Sequence, residues 1–99
     1  MLLSVDIGNT NITMGIYDKE ELQSVARIAT DPNKTSDSYA VDIKAVLELK
    51  GIDYRQIDGA VIGSVVPPVG AAMVEAIQLL CGVKPILLGP GVKTGLNIR

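Results

Sequence analysis

Two apolar runs separated by a short polar stretch open this sequence, and they constrain the fold more than any other feature. The runs are Met1 to Val5 and Thr13 to Tyr17, and the stretch Asp6 to Thr13 reads DIGNTNIT. A strand, a tight turn containing Gly8 and a returning strand make a β-hairpin. The sequence therefore predicts a hairpin that delivers one acidic side chain, Asp6, to the end of its first strand.

The turn of this hairpin has the residue types of a phosphate site. Gly8 has no Cβ, so the backbone can come close to a ligand. The N–H groups of such a turn can converge on an anion, helped by short Asn and Thr side chains. A carboxylate beside them suits Mg²⁺, which lies between acid and phosphate and cancels their repulsion. The same residues are also ordinary turn residues, so the motif alone leaves a plain turn and a phosphate site open.

The rest of the chain alternates between strand and helix patterns. In chain order we predict a strand at Glu21 to Thr30, a helix at Ser36 to Lys50, a strand at Gly59 to Val66, a helix from Pro68 to Gly82 and a strand at Pro85 to Leu88. The order β-β-β-α-β-α-β predicts an α/β fold, with a mixed sheet and helices on the sheet faces. Right-handed crossovers would make the later strands parallel to the first.

Apolar periodicity predicts which side of each element is buried. In the third strand Leu22, Ala26 and Ile28 share one phase. In the first helix the buried stripe is predicted to be Tyr39, Ile43, Val46 and Leu47, and in the second Ala71, Met73, Val74, Ala76, Ile77 and Leu80. The continuous apolar run Gly59 to Val66 is typical of a parallel strand covered on both faces.

Charge and cysteine content exclude several classes of function. The chain of 99 residues has the length of one domain and carries a net charge of −2, with nine scattered basic residues. We therefore predict no nucleic-acid partner, since phosphate backbones are bound by clustered Lys and Arg. The absence of His removes the usual catalytic triads and most zinc sites. A single Cys81 cannot form an internal disulfide, which predicts a cytoplasmic location and a buried structural thiol.

One stretch, Ala60 to Val83, is apolar enough to raise the question of a membrane span. Pro67 and Pro68 in its middle and Glu75 beyond them divide it into a strand and a helix. We therefore predict no membrane partner, and the start of the chain has no signal-peptide pattern.

Three polar or Gly-rich segments follow predicted strands. They are the turn after Asp6, the segment Ser64 to Pro67, and the Gly/Pro segment Gly89 to Thr94. In sheets of this kind ligands gather beyond the carboxyl ends of the parallel strands. The sequence therefore predicts one ligand site to which all three segments contribute.

The chain resembles the N-terminal half of a type III pantothenate kinase. The resemblance rests on DIGNTNIT at Asp6 to Thr13, KTSDSY at Lys34 to Tyr39, GSVVPP at Gly63 to Pro68 and LGPGVKTGLNI at Leu88 to Ile98. It covers essentially the whole chain and implies the superfamily of actin, sugar kinases and heat-shock chaperone ATPases. It therefore implies that residues 1–99 form the first of two ribonuclease-H-like domains that hold ATP between them.

The resemblance also implies a reaction and a set of binding residues. The reaction is transfer of the γ-phosphoryl group of ATP to pantothenate, the first step toward coenzyme A, in a cytoplasmic enzyme that is a homodimer at full length. The first phosphate-binding loop would comprise Asp6, Ile7, Gly8, Asn9, Thr10, Asn11, Ile12 and Thr13, with Asp6 as the Mg²⁺ ligand.

Other parts of the family's site have no counterpart in these 99 residues. The resemblance implies that the catalytic acid belongs to a Gly-Ala-Asp-Arg motif beyond Arg99, and that the second phosphate loop and a site for K⁺ or NH₄⁺ also lie further on. We therefore predict no catalytic residue in this chain, which we interpret as a domain-sized part of the enzyme that is inactive alone.

Several residues and two further functions stay open at this stage. Ser64 either faces pantothenate or is a small residue required for close packing, and Lys93, Asn97 and Arg99 are open candidates for ligand contacts. One alternative function is a non-catalytic ATP-binding or assembly module of the same superfamily. The other is a ribonuclease-H-like nuclease, but the predicted fourth strand lacks the carboxylates that it needs.

Overall fold

A computed structural model describes residues 1–88, and the structural statements below refer to that part of the chain. Its elements are β1 (Leu2–Ile7), β2 (Asn11–Asp18), β3 (Glu21–Ala29), α1 (Ser36–Leu49), a short 3-10 helix (Tyr54–Gln56), β4 (Gly59–Ser64), α2 (Pro67–Cys81) and β5 (Ile86–Leu88). Their order is the predicted β-β-β-α-β-α-β. The segment predicted as a Gly/Pro loop after Leu88 lies outside the described residues.

The five strands form one mixed sheet in the order β3-β2-β1-β4-β5. β1 pairs antiparallel with β2, and β2 with β3, whereas the β1–β4 and β4–β5 pairs are parallel. The predicted meander followed by parallel strands is confirmed. Ile7 pairs with Ile12 across the hairpin and with Ser64 of β4, so the carboxyl ends of β1 and β4 lie side by side.

Both described helices lie on the same face of the sheet. Alternate residues of β1 point to that face, where Leu3, Val5 and Ile7 are at most 3% exposed. They share one core with residues of the strands and both helices, among them Ile12, Met14, Ile16, Ile62, Tyr39, Ile43, Leu47, Met73, Ala76 and Ile77.

The sequence predicted helices on the sheet faces, and within residues 1–88 both helices share one face. Many of the alternate positions of the central strands carry small or polar residues, among them Ser4 and Asp6 of β1, Thr13 and Gly15 of β2, and Gly63 of β4. Such residues offer little apolar surface to a helix, so the large aliphatic side chains of the other phase decide where α1 and α2 pack.

An irregularity in β3 moves one predicted core residue out of phase. Ile16 pairs with Ser24, but the next residue, Tyr17, pairs with Leu22, so the ladder skips Gln23. A bulge of this kind reverses the side-chain alternation beyond it. Leu22 is accordingly 46% exposed, whereas Ala26 and Ile28 lie in or against the core as predicted.

The ends of the helices follow local chemistry. Thr35 caps α1, and its side chain accepts a hydrogen bond from the Ser38 N–H. Gly82 ends α2 in the left-handed conformation, with φ of 73°. The predicted core stripe of α1 is confirmed, whereas Ala71, which the sequence placed in the core stripe of α2, is exposed.

β4 is two residues shorter than predicted. It ends at Ser64, because Ser64 turns the chain through hydrogen bonds to Val66 and α2 begins at Pro67. Within residues 1–88 no helix is both long and apolar enough to cross a membrane.

We predict that Gly82→Ala lowers the free energy of unfolding by about 1 kcal/mol. A side chain at positive φ costs roughly 1–2 kcal/mol, partly offset by the lower entropy of the unfolded chain. Urea unfolding followed by circular dichroism measures the change. Gly59→Ala is the matched control, because an added Cβ there meets only the Leu2 side chain, at 3.4 Å. Equal loss of stability in both variants would contradict the conformational explanation.

Candidate functional site

The hairpin between β1 and β2 closes through a tight polar turn, Gly8 to Thr10. The Gly8 N–H donates to the Asn11 carbonyl oxygen at 2.9 Å. A Cβ added at Gly8 would lie 3.2 Å from that same oxygen. No residue of this turn has positive φ, so glycine is favoured here by the close approach of the two backbones and not by a left-handed conformation.

The turn presents two backbone donors and three exposed polar side chains. Among the hydrogen bonds of residues 1–88, none uses the N–H of Asn9 or of Thr10. The side chains of Asn9, Thr10 and Asn11 are exposed. Adjacent N–H groups without internal partners are the donors from which backbone anion sites are built.

The structure places Asp6 next to this turn, on the face of the sheet that α1 and α2 do not cover. In the ladders Asp6 lies between Thr13 of β2 and Gly63 of β4. Its side chain is half-buried. Because residues paired across strands point to the same face, Thr13 and Asp6 present a hydroxyl and a carboxylate side by side.

Two of the predicted binding residues have their side chains in the core. Ile7 is 3% and Ile12 0% exposed. The Ile7 carbonyl also accepts a hydrogen bond from the Val65 N–H at 3.1 Å. These residues therefore hold the two sides of the hairpin together, and a ligand could meet only their remaining backbone groups.

The second predicted segment, at the end of β4, lies beside the turn but has its polar groups engaged internally. The Ser64 hydroxyl donates to the Val66 carbonyl and accepts from the Val66 N–H. A Cβ added at Gly70 would lie 3.2 Å from the Ser64 Cβ. These contacts favour the packing interpretation of Ser64 over a role in binding pantothenate.

The start of α2 offers no backbone donor to a ligand. Pro67 and Pro68 have no N–H, and the N–H groups of Val69 and Gly70 both donate to the Val66 carbonyl. The four N–H groups that usually bind anions at a helix start are therefore missing or used. Among the described residues at this edge of the sheet, the hairpin turn therefore supplies the backbone N–H groups that a ligand could use.

Other polar residues that the sequence singled out have structural roles or lie outside the described residues. The Tyr39 hydroxyl bonds to both backbone groups of Asp31 from a fully buried position, so it is not free for a ligand. The third predicted segment, together with Lys93, Asn97 and Arg99, falls outside residues 1–88. No cluster of three or more His, Cys, Asp or Glu side chains occurs in the part of the chain that the structure describes.

Sequence reasoning missed Thr30, which touches the turn directly. Its hydroxyl donates to the Gly8 carbonyl at 2.8 Å and its N–H to the Thr10 carbonyl at 2.9 Å. The predicted meander could have revealed this contact, because the third strand of a meander ends at the same edge of the sheet as the first. A polar residue directly after that strand is thereby brought to the hairpin turn.

The fold is shared with sugar kinases. The chain matches a ROK hexokinase from Thermus thermophilus with a TM-score of 0.61 at 16% identity, over 89% of this chain and 33% of that chain. It matches a putative N-acetylglucosamine kinase from Porphyromonas gingivalis with a TM-score of 0.64 at 15% identity, over 90% and 34%. It matches RuvC from Thermus thermophilus, in complex with a Holliday junction substrate, with a TM-score of 0.55 at 19% identity, over 90% of this chain and 64% of that chain. At these identities the likeness establishes the fold alone, an α/β domain found in both kinases and a DNA-binding protein.

Sequence comparison then identifies the family. The sequence model of the type III pantothenate kinase family matches residues 2–99. The chain is 46% identical to the type III pantothenate kinase of Geobacillus sp. over its whole length, which is 38% of that relative. It is 43% identical to that of Exiguobacterium sp., again over the whole chain and 39% of the relative. The chain belongs to the type III pantothenate kinase family and spans about two fifths of the length of these relatives.

The single cysteine, Cys81 at the end of α2, gives a test of burial in the fold. Burial raises the pKa of the Cys81 thiol to about 11, so below that pH the thiol is protonated. We predict alkylation by iodoacetamide at pH 8 to be roughly a hundredfold slower than in the unfolded chain, where the pKa is about 8.5, and to accelerate as pH rises toward 11. Mass spectrometry of the folded and urea-unfolded chain measures both rates. Equal rates would contradict the role of Cys81 as a structural thiol.

Proposed function

We propose that this chain is the first of two ribonuclease-H-like domains of a pantothenate kinase, which transfers the γ-phosphoryl group of ATP to the hydroxyl of pantothenate. Family membership supports this reaction. The observation that carries the proposal is the hairpin turn. It presents two backbone N–H groups that have no partner within residues 1–88, beside a carboxylate at the carboxyl end of the central strand.

The roles of the turn residues follow from what each presents. The N–H groups of Asn9 and Thr10 and the Thr10 hydroxyl bind β- and γ-phosphate oxygens of ATP. Asn11 and Thr13 add polar side chains at the start of β2, and Gly8 allows the turn to close without a side chain in the way. Ile7 and Ile12 support the turn from the core.

Asp6 fits the role of the Mg²⁺ ligand, directly or through water. Mg²⁺ in phosphate sites is commonly held by one or two carboxylates together with substrate phosphates, and it keeps several waters. One half-buried carboxylate beside the anion donors matches that donor set. The turn contains no Lys, and the ammonium of Lys34 is paired with the Asp42 carboxylate. At this turn the metal would therefore carry more of the neutralisation than in a phosphate loop that contains a Lys.

We place the rest of the site in the part of the family's length that this chain does not span. That part would supply the catalytic acid, the adenosine contacts and the site for K⁺ or NH₄⁺. The whole enzyme is proposed to be a cytoplasmic homodimer. Phosphoryl transfer depends on positioning and charge stabilisation from both sides of the nucleotide, which one wall of a cleft does not provide.

A nuclease function shares the fold but not the chemistry. RuvC demonstrates that a nucleic-acid-binding protein can have this fold. Two-metal nucleases hold their ions with several carboxylates, and no such cluster occurs within residues 1–88. A non-catalytic ATP-binding module remains the second candidate, and the presence of pantothenate-dependent ATP turnover separates it from the kinase.

We predict that Asp6→Asn lowers turnover at least tenfold in a protein of full family length that contains this sequence. A decade of rate corresponds to about 1.4 kcal/mol of transition-state stabilisation, which loss of one metal-holding carboxylate should exceed. A coupled assay of ADP release measures the rate.

The matched control is Asp58→Asn. That carboxylate is 87% exposed, precedes β4 at the opposite end of the sheet and pairs with the N-terminal ammonium. Turnover should stay within about twofold of the unchanged protein, as expected for an exposed ion pair. Unchanged turnover in a correctly folded Asp6→Asn variant would refute the metal-holding role.

We also predict that the 99-residue polypeptide alone does not phosphorylate pantothenate. The physical reason is that it presents one wall of the proposed cleft. Incubation with ATP, Mg²⁺ and pantothenate, followed by mass spectrometry for phosphopantothenate, tests this, with a protein of full family length as the positive control. Product formation proportional to the concentration of the polypeptide would contradict the prediction.

A further inference from the structure

We propose that Thr30 is a positioning residue that fixes the orientation of the phosphate-binding turn. The inference rests on the proposed function of that turn, and it assigns a role to a residue outside the motif Asp6 to Thr13. Thr30 directly follows β3 and is half-buried.

A single residue bonds to two of the three carbonyl groups of the turn. The Thr30 hydroxyl donates to the Gly8 carbonyl oxygen, and the Thr30 N–H donates to the Thr10 carbonyl oxygen. Both oxygens are therefore turned toward β3. Carbonyl oxygens that faced an anion would repel it, so this arrangement keeps their partial negative charge away from the phosphates.

Because the peptide bond is planar, these contacts also fix the direction of the neighbouring N–H groups. In a trans peptide the C=O of one residue and the N–H of the next point in opposite directions. Holding the Gly8 carbonyl toward Thr30 therefore directs the Asn9 N–H to the other side. The preceding peptide is already fixed, because the Ile7 carbonyl accepts from Val65 and the Gly8 N–H donates to Asn11.

The Thr10 N–H belongs to the peptide between Asn9 and Thr10. In the described structure, this is the one peptide of the turn whose C=O and N–H make no hydrogen bond. That peptide is restrained on both sides by the two groups that Thr30 holds. Loss of the Thr30 hydroxyl would free the peptide between Gly8 and Asn9 to rotate, and the two donors would no longer converge.

Thr30 is itself anchored from the core. The Asp31 N–H donates to the Tyr39 hydroxyl, and that hydroxyl donates to the Asp31 carbonyl, each at 2.9 Å. Tyr39 is 0% exposed in helix α1. The buried Tyr39 side chain therefore holds the backbone next to Thr30. This gives the Thr30 hydroxyl a fixed position relative to the turn.

The test compares Thr30→Val with Thr30→Ser in the ¹⁵N-labelled 99-residue chain. Val has nearly the shape of Thr but no hydroxyl, whereas Ser keeps the donor. Titration with Mg·ATP, followed through the amide signals of Gly8, Asn9 and Thr10, gives the affinity. We expect Thr30→Val to bind about threefold to tenfold more weakly, as for loss of one hydrogen bond, and to show faster exchange of the Gly8 amide, which donates to Asn11, without ligand. The affinity of Thr30→Ser for Mg·ATP should stay within about twofold of that of the unchanged chain, because Ser keeps the hydroxyl donor.

Thr35→Val is the matched control, because it removes the hydroxyl that caps α1 without touching the turn. It should lower stability but leave Mg·ATP affinity unchanged. If Val at position 30 disturbs packing, Thr30→Ala removes the same hydroxyl and should give the same loss.

Three outcomes would overturn the inference. Thr30→Val that binds as tightly as the unchanged chain contradicts it and leaves the proposed function intact. An equal loss in Thr30→Val, Thr30→Ser and Thr35→Val means a general loss of order and also contradicts it. No change in the turn signals of the unchanged chain on adding Mg·ATP contradicts the phosphate-binding role itself, and the inference with it.

Discussion

The pairing of β1 with neighbours on both sides is the interaction on which the rest of this structure depends. β1 is bonded antiparallel to β2 and parallel to β4. The antiparallel pair places a tight turn directly after Asp6, and the parallel pair brings the end of β4 to the same edge. The placement of the turn, of Asp6 and of the end of β4 follows from these two ladders, because a strand at the sheet centre fixes its own end and both adjoining loops.

Rigidity around the turn comes from polar contacts at the sheet edge and not from burial of the turn itself. Asn9 and Thr10 are exposed, and their backbone is held through Thr30 and, behind it, through the contact of Tyr39 with Asp31. An exposed loop that binds a charged ligand benefits from this arrangement, since ordering it on binding would cost conformational entropy. The helix α1 thus contributes to the site without reaching it.

Sequence reasoning recovered what local chemistry decides and missed what depends on the placement of distant segments. The hairpin, the Gly82 end of α2 and the parallel β4 follow from residue types at fixed spacing. Leu22 was misplaced because a bulge cannot be seen in an alternating pattern. The sequence did not say which face each helix covers, because small residues in a strand do not reveal which face they occupy. The role of Thr30 requires knowing that the end of β3 lies beside Gly8, which only the assembled sheet provides.

The two prolines at the start of α2 have a consequence for selectivity. A helix that begins beside a phosphate site usually competes for the anion through its own electropositive end. Here Pro67, Pro68 and the bonds to Val66 close that end, so a polyanion approaching the described edge meets one set of donors at one position. Under the proposed function, a phosphate chain held at this one position keeps a defined register.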